Sequence, residues 1–246
     1  FLEQGIFEPH PNGAMMRLVL IGYGKMGRMV EKVAQESGHE ITGIVDPQTH
    51  PGIGFSDDWQ ETVDALIDFS VGAQVPSNVE SAVKRGIPIV VGTTGWNEEL
   101  EKVRKLVNLN KGTCIYSSNF SMGVQALFYL VNQAGKLISR FKDFQPYIVE
   151  SHHVQKVDAP SGTALTLRQI LDQSYGSEVP ISSVRAGFFP GEHKVGFDSP
   201  VDTLTLQHSA RSREGFARGA VFAAGWAQGK TGFYSFEDIL FREDND

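Results

Sequence analysis

The run Glu150-Ser151-His152-His153-Val154-Gln155-Lys156-Val157-Asp158-Ala159-Pro160-Ser161-Gly162-Thr163 gathers the residues best suited to moving protons and holding an anion. Histidine titrates near neutral pH and lysine is a compact cation, so His152, His153 and Lys156 offer acid-base chemistry beside charge neutralisation. Ser161 is a good helix N-cap, and Ala164-Leu165-Thr166-Leu167-Arg168-Gln169-Ile170-Leu171 behind it carries helical spacing. The amides of Gly162 and Thr163 then point out of a helix N-terminus, where hydrogen bonding and the helix dipole both attract a carboxylate. Upstream, Tyr147 to Glu150 reads as a short strand. That places both histidines where a strand gives way to a loop, with rings that need not be buried in a ladder. A bare histidine pair is more often surface loop; the adjoining cation and amide nest point instead to an anion pocket.

A second constellation lies near the N-terminus. Arg17-Leu18-Val19-Leu20-Ile21 is an apolar run ending in Gly22-Tyr23-Gly24-Lys25-Met26-Gly27, and Arg28 to Glu36 has helical periodicity. Strand, glycine turn and helix in that order fit a dinucleotide, whose pyrophosphate approaches the main chain at the helix start. The next strand, Glu40 to Val45, ends at Asp46, about 20 residues after the last glycine, where an acid meets the ribose hydroxyls. Pro47-Gln48-Thr49 supply no cation beside Asp46, so a ribose phosphate would be repelled and NADH is favoured over NADPH. Lys25 or His50 could soften that preference and leave NADPH possible. A lysine inside such a turn, as Lys25 is, is more often a solvated side chain than a phosphate ligand, and either role is open to it.

The elements that must position these groups alternate. Strands are expected at Ala65 to Asp68, Pro88 to Val91 and Thr113 to Tyr116, and helices at Ser77 to Arg85 and Glu98 to Val107. Such alternation implies a parallel sheet with ligands beyond the carboxyl ends of the strands. Gly22 to Gly27, Asp46, Phe69, Gly92-Thr93-Thr94 and Ser117-Ser118-Asn119-Phe120 all fall at those ends, although turn chemistry explains the individual Thr and Asn residues equally well. After Met122 come a long helix over Val124 to Ile138, the Tyr147 strand, and the helix to Tyr175. Two more strands follow, one in Val184 to Phe197 broken by Gly187 and Gly191, the other at Thr203 to His208. His193 and His208 read as ordinary strand residues. Gly219 to Gln228 is expected as a final helix, and Gly232 to Leu240 as a short turn and helix returning to the first domain.

The expected fold class is therefore α/β: a Rossmann-like parallel-sheet domain plus a second, mixed α/β domain. The expected boundaries are an extension or tag at 1–15, the dinucleotide-binding domain at 16–121 with 213–246, and a substrate-binding and oligomerisation domain at 122–212. With 22 Lys and Arg against 29 Asp and Glu, the net charge of −7 argues against a nucleic-acid or anionic-membrane surface. Any anion must be bound locally. Cys114 is the single cysteine, which rules out an internal disulfide or a thiolate metal cluster and fits the cytoplasm. No metal is expected, and the apolar runs fall short of the roughly 20 residues that span a bilayer.

The segment from Glu150 to Ala164 closely resembles the 4-hydroxy-tetrahydrodipicolinate reductase family of the diaminopimelate route to lysine. The likeness extends from Met16 through Val91-Gly92-Thr93-Thr94-Gly95, Asn119-Phe120-Ser121, Arg185-Ala186-Gly187 with Gly191-Glu192-His193, and Gly232-Phe233-Tyr234. It implies that Gly22 to Gly27, Asp46, Gly92, Thr93, Thr94 and the Ser117 to Phe120 turn hold NAD(P)H. It implies further that His152 is the acid-base residue, that Lys156 donates a proton, and that His153, Gly162 and Thr163, with Ser161 before them, bind a small cyclic dicarboxylate. A homotetramer joined through the second domain is implied in the same way. The chain departs from the family with a glycine turn one residue shorter than in many members, and with Arg218 where asparagine is common. Two other readings compete. One is an amino-acid or aldehyde dehydrogenase, for which Cys114 is the sole candidate thiol; the other is a dinucleotide sensor without turnover, which would have no need of His152 and Lys156.

Overall fold

The computed structural model describes residues 14–50, 54–55 and 62–241. The expected extension at 1–15 lies outside the described residues up to 13; Met16 is buried and its amide donates to His39 Nδ1. The described residues divide into two compact units, those up to 120 together with those from 216 onward, and those from 121 to 215.

In the first unit, β1 (Arg17–Ile21), β2 (Glu40–Val45), β3 (Ala65–Asp68), β4 (Ile89–Val91) and β5 (Thr113–Tyr116) alternate with α1 (Lys25–Glu36), α2 (Val75–Lys84) and α3 (Leu100–Leu109). Leu18 to Ile21, Ala65 to Ile67 and Ile89 to Val91 are buried throughout, because a parallel sheet is covered on both faces and needs apolar side chains pointing both ways. Together with β10 (Gly232–Ser235) from the end of the chain, the strands pair in the order β10-β5-β4-β3-β1-β2, all parallel. Ile21 lies beside Val45 and Asp68, Asp68 beside Val91, and Val91 beside Tyr116, so the carboxyl ends align in one row.

The chain re-enters this unit through α6 (Glu214–Trp226), β10 (Gly232–Ser235) and α7 (Phe236–Phe241). Helix α6 begins five residues before the expected Gly219, and the expected turn is a strand paired along β5 from Gly232 beside Thr113 to Ser235 beside Tyr116. Four residues carry too little periodicity to announce a strand. Stacking of Phe233 on Tyr116 and the Arg104 guanidinium over the Phe233 ring hold it in place.

In the second unit, α4 (Met122–Ile138), β6 (Gln145–His152), α5 (Gly162–Tyr175), β7 (Ile181–Arg185), β8 (Glu192–Asp198) and β9 (Thr203–Ser209) follow in sequence. The sheet order is β7-β6-β8-β9, with β6 parallel to β7 and antiparallel pairing elsewhere. Leu127, Phe128 and Val131 of α4 and Leu167 and Leu171 of α5 pack with Ile148, Val195 and Phe197 of the sheet. The single broken strand expected over Val184 to Phe197 is two strands. Gly187, at φ 55°, and Gly191, at φ 154°, allow the chain to leave β7 and enter β8 on the far side of β6.

Helix α6 crosses the Ser117 to Phe120 turn at Gly219, where a Cβ would stand 1.8 Å from the Phe120 carbonyl oxygen. Gly219→Ala should therefore destabilise the protein by about 3 kcal/mol through forced separation of the two segments. Urea unfolding measures this, and an unchanged midpoint would mean that the helix is free to move aside.

Candidate active site

Strand alternation puts Ile148, Glu150 and His152 on the buried face of β6. Ile148 belongs to the apolar core, and the two polar residues continue that face to the end of the strand. Glu150 lies beside Ser183 on β7 and His193 on β8, while His152 lies beside Arg185. The expectation that the strand gives way to a loop before both histidines is thus corrected for His152. Pairing with β7 carries β6 through His152, whose ring is buried, and only His153 lies beyond the strand.

Glu150 has no exposed side-chain surface. Its Oε1 accepts a hydrogen bond from an Arg185 guanidinium nitrogen at 2.7 Å, and its Oε2 lies against His152 Nδ1. Burial works to raise this carboxyl, but hydrogen bonds from Arg185 and Ser183 and the charges of His152 and Arg185 hold it below the usual range. For His152, burial lowers the affinity for a proton, and Glu150 acts against that. His193 is buried; its Nε2 lies 3.1 Å from Ser161 Oγ, and its ring meets the His152 ring edge to face at 5.2 Å. Glu150, His152 and His193 offer ligand atoms within 4.8 Å of one another, and Glu150 Oε2 is set directly against His152 Nδ1.

Ser161 caps α5: its Oγ accepts from the Ala164 amide at 3.3 Å. With Oγ engaged by His193 as well and the residue 2% exposed, the hydroxyl is committed to structure. Gly162 opens the helix, and a Cβ there would meet nothing within 4 Å, so the chain is open beside the first amides. The His153 amide donates to the Phe189 carbonyl, and its buried Nδ1 has no hydrogen-bond partner. Lys156 donates to Asp158 Oδ1 at 2.7 Å, a contact that draws the Asp158 carboxyl below its ordinary range. His152, Ser161 and His193 are therefore joined directly, while Lys156 and Asp158 form a more exposed pair.

In the first unit, Gly22 takes φ 85° at the end of β1, and a Cβ would lie 2.5 Å from the Phe69 carbonyl oxygen. Only glycine fits there. Gly24 precedes α1 with no side-chain cap and no acidic residue in the first turn, and a Cβ on Gly24 would meet nothing within 4 Å. An uncapped helix start beside open space suits the phosphates of a nicotinamide dinucleotide. Gly27 packs directly on the Gly22 carbonyl, Lys25 is exposed and Met26 half-buried.

Asp46 holds this turn in place. One oxygen accepts from the Tyr23 amide at 2.7 Å and the other from the Gln48 and Thr49 amides at 2.9 Å. These bonds, that from Tyr23 foremost, pull its carboxyl below the ordinary range. Phe69 covers Gly92 and meets Phe120 edge to face, while Phe120 packs on Phe236 within the core. Thr93 is buried with its hydroxyl donating to Asp68, and Thr94 and Ser118 are exposed. Ser117 and Asn119 close their turn on each other, the Ser117 hydroxyl donating to the Asn119 carbonyl at 2.8 Å. Cys114 is fully buried and burial pushes its thiol up, which removes it as an acylating nucleophile.

Sequence reasoning missed Glu150, Arg185 and His193 as members of the cluster and Asp68 as the organiser of the β3 and β4 loops. The alternation of Ile148, Glu150 and His152 was the available sign that Glu150 shares a face with the histidine. His208 stands beside His193 in β9 and packs against Gly123 at the start of α4, in keeping with a strand residue.

A parallel sheet with an uncapped glycine turn at its edge, joined to a mixed-sheet unit carrying a buried acid-base cluster, defines a Rossmann-like two-unit α/β protein. The chain belongs to the dihydrodipicolinate reductase family, whose N-terminal model matches residues 16–120 and whose C-terminal model matches residues 123–240. It is 36% identical over 239 residues to the 4-hydroxy-tetrahydrodipicolinate reductase of Christiangramia forsetii, covering 92% of this chain and 98% of the relative. To the enzyme of the same name from Caldanaerobacter subterraneus it is 39% identical over 253 residues, with the same coverage. A dipicolinate-bound dihydrodipicolinate reductase from a Paenisporosarcina species shares the fold with a TM-score of 0.77 at 24% identity, over 92% of this chain and 100% of that one. Among the described residues, no helix is long and apolar enough to cross a membrane.

Burial, with the charge of His152 a lesser cause, pushes His193 down to about 4 from an ordinary value of 6.5. Protonation is then harder in the folded than in the unfolded state, so stability is lost as pH falls from 6.5 towards 4. A His193→Gln variant, which keeps a hydrogen-bonding group for Ser161, should lose about 3 kcal/mol less over that interval. Urea unfolding at a series of pH values reads the difference; parallel curves for the two proteins would refute it.

Proposed function

We propose that this chain reduces 4-hydroxy-tetrahydrodipicolinate to tetrahydrodipicolinate, the step of the diaminopimelate route to lysine carried out by its relatives. The observation that carries the proposal is the assembly at the end of β6: a buried, carboxylate-backed His152, a lysine four residues on, and an open helix start capped by Ser161. A cyclic dicarboxylate needs cations and free amides for its charges and a proton source for its ring, and that segment supplies both.

In this reading His153, Gly162 and Thr163 bind the carboxylates, and Ser161 serves through the helix start it holds. Loss of water from the hydroxylated ring leaves a conjugated imine. When bound, the reduced nicotinamide supplies the hydride, and Lys156 or His152 protonates the enamine that results. Lys156 moves from Asp158 to the substrate and stabilises the negative charge developing on the ring, the contribution expected to be largest. On the cofactor side, Gly22, Tyr23, Gly24, Lys25, Met26 and Gly27 embrace the pyrophosphate. Gly92, Thr93, Thr94 and the Ser117 to Phe120 turn, with Phe69, border the nicotinamide. Asp46 faces the ribose, and its lowered carboxyl favours NADH by repelling a ribose phosphate. We read the protein as a cytoplasmic homo-oligomer, tetrameric as the resemblance implies.

Purified protein should oxidise NADH when given the freshly made condensation product of pyruvate and aspartate semialdehyde; no turnover with either NADH or NADPH would reject the reaction. Lys156→Ala should lower kcat at least about 100-fold with nucleotide affinity little changed. Equal loss of both would misplace the lysine.

Replacing Asp46 by alanine would also strand three backbone amides, so Asp46→Asn is the cleaner test of its charge. The ratio of kcat/KM for NADPH over NADH should rise about tenfold, and an unchanged ratio would remove Asp46 from the discrimination.

A further inference from the structure

The groups around His152 come from four places. Glu150 precedes it on β6, Arg185 lies beside it on β7, His193 approaches from β8, and Lys156 belongs to the loop beyond the strand. Of these, Glu150 alone is both fully buried and in contact with a nitrogen of the His152 ring. Two lone pairs cannot share so close a contact, so with His152 neutral the ring proton belongs on Nδ1, beside the carboxylate. Nε2 is then the nitrogen left to exchange a proton. That edge of the ring faces Gly191, where a Cβ would stand 3.2 Å from Nε2.

The other carboxylate oxygen is tied to the loop that carries Lys156. The Arg185 nitrogen that donates to Glu150 Oε1 at 2.7 Å also donates to the Asp158 main-chain carbonyl at 2.5 Å. A second guanidinium nitrogen donates to the Val184 carbonyl at 2.8 Å, which fixes the fork against its own strand. Lysine has no second nitrogen to bond the Val184 carbonyl, so its single ammonium would lose the anchor that holds the bridge between Glu150 and the loop in place.

We propose that Glu150 is a positioning residue that sets two parts of the site at once. One oxygen fixes the Nδ1–H form of His152, and the other, through Arg185, holds the Asp158 carbonyl and with it the loop bearing Lys156. The proposal rests on His152 and Lys156 serving the reduction described above. It assigns Glu150 and Arg185 no contact with substrate or cofactor.

The decisive measurement needs no turnover. Long-range 1H–15N spectra of the unsubstituted protein, taken above the His152 titration, should show the proton on Nδ1; a proton on Nε2 would overturn the proposal without any variant. In Glu150→Gln the amide oxygen must face Arg185, which turns the amide nitrogen towards His152 and should move the ring proton to Nε2. Its kcat should fall about 100-fold, the scale expected of a misassigned acid-base tautomer, and the pH limb reporting His152 should shift to lower pH as the neighbouring negative charge is lost. Arg185→Lys should keep the Nδ1–H form but raise KM for the dicarboxylate about tenfold with kcat little changed, because the loop and not the ring is released.

A Glu150→Gln protein that keeps both the Nδ1–H form and its kcat would sink the idea, as would an Arg185→Lys protein losing kcat alone. Lack of turnover in the unsubstituted protein would count against the proposed reaction, whereas the tautomer spectra judge the clamp.

Discussion

An ionised carboxylate withdrawn from water is tolerated only when opposite charge and hydrogen bonds replace its hydration, and Glu150 is such a group. The effective penalty in a folded protein is several kcal/mol per ion, so removing one partner leaves a charge the interior cannot hold. Arg185 and His152 supply the compensation, and each is thereby fixed in orientation. Strand β6 cannot slip by one residue against β7 or β8 without turning Glu150 out and an uncharged neighbour in, so the register of the second sheet and the geometry of the acid-base cluster are one constraint. Packing of α4 and α5 over Ile148, Val195 and Phe197 fixes which face of β6 is dry.

The first unit uses carboxylates differently. Asp68, with no exposure, accepts from the Asn78 amide at 2.8 Å, the Ser70 amide at 2.8 Å and the Thr93 hydroxyl at 2.8 Å, and so binds the loops after β3 and β4 to each other. Asp46 does the same for the glycine turn and the chain after β2. No cation is needed where so many donors converge, since several hydrogen bonds to one carboxylate stabilise its charged form. The loops at the carboxyl edge of the sheet are thus shaped from within before any nucleotide arrives.

The cofactor half was the more legible in the sequence, for a physical reason. Strands of a parallel sheet are apolar throughout, the helices between them are amphipathic, and glycine marks the turns, so each element announces itself locally. The elements that escaped were short or interrupted. Strand β10 has four residues and relies on β5 and Arg104 for its place, and the glycines between β7 and β8 made two strands look like one broken strand. The contiguous run from His152 to Thr163 was readable because its chemistry is crowded into one stretch. Arg185 and His193 were not, being separated from His152 by a helix and brought to it only by the order β7-β6-β8.

The sequence by itself determined the alternation that makes a parallel sheet, the glycine turn with its acid at the next strand end, and the histidine-lysine segment leading into a capped helix. These are properties of neighbours along the chain, set by covalent spacing. Only the tertiary structure decided that His152 is a buried ladder residue, that Glu150 stands behind it, and that one arginine ties that carboxylate to the lysine loop. Those relations join residues distant in the chain, and they exist because sheet pairing and the covering helices place particular side chains on one dry face.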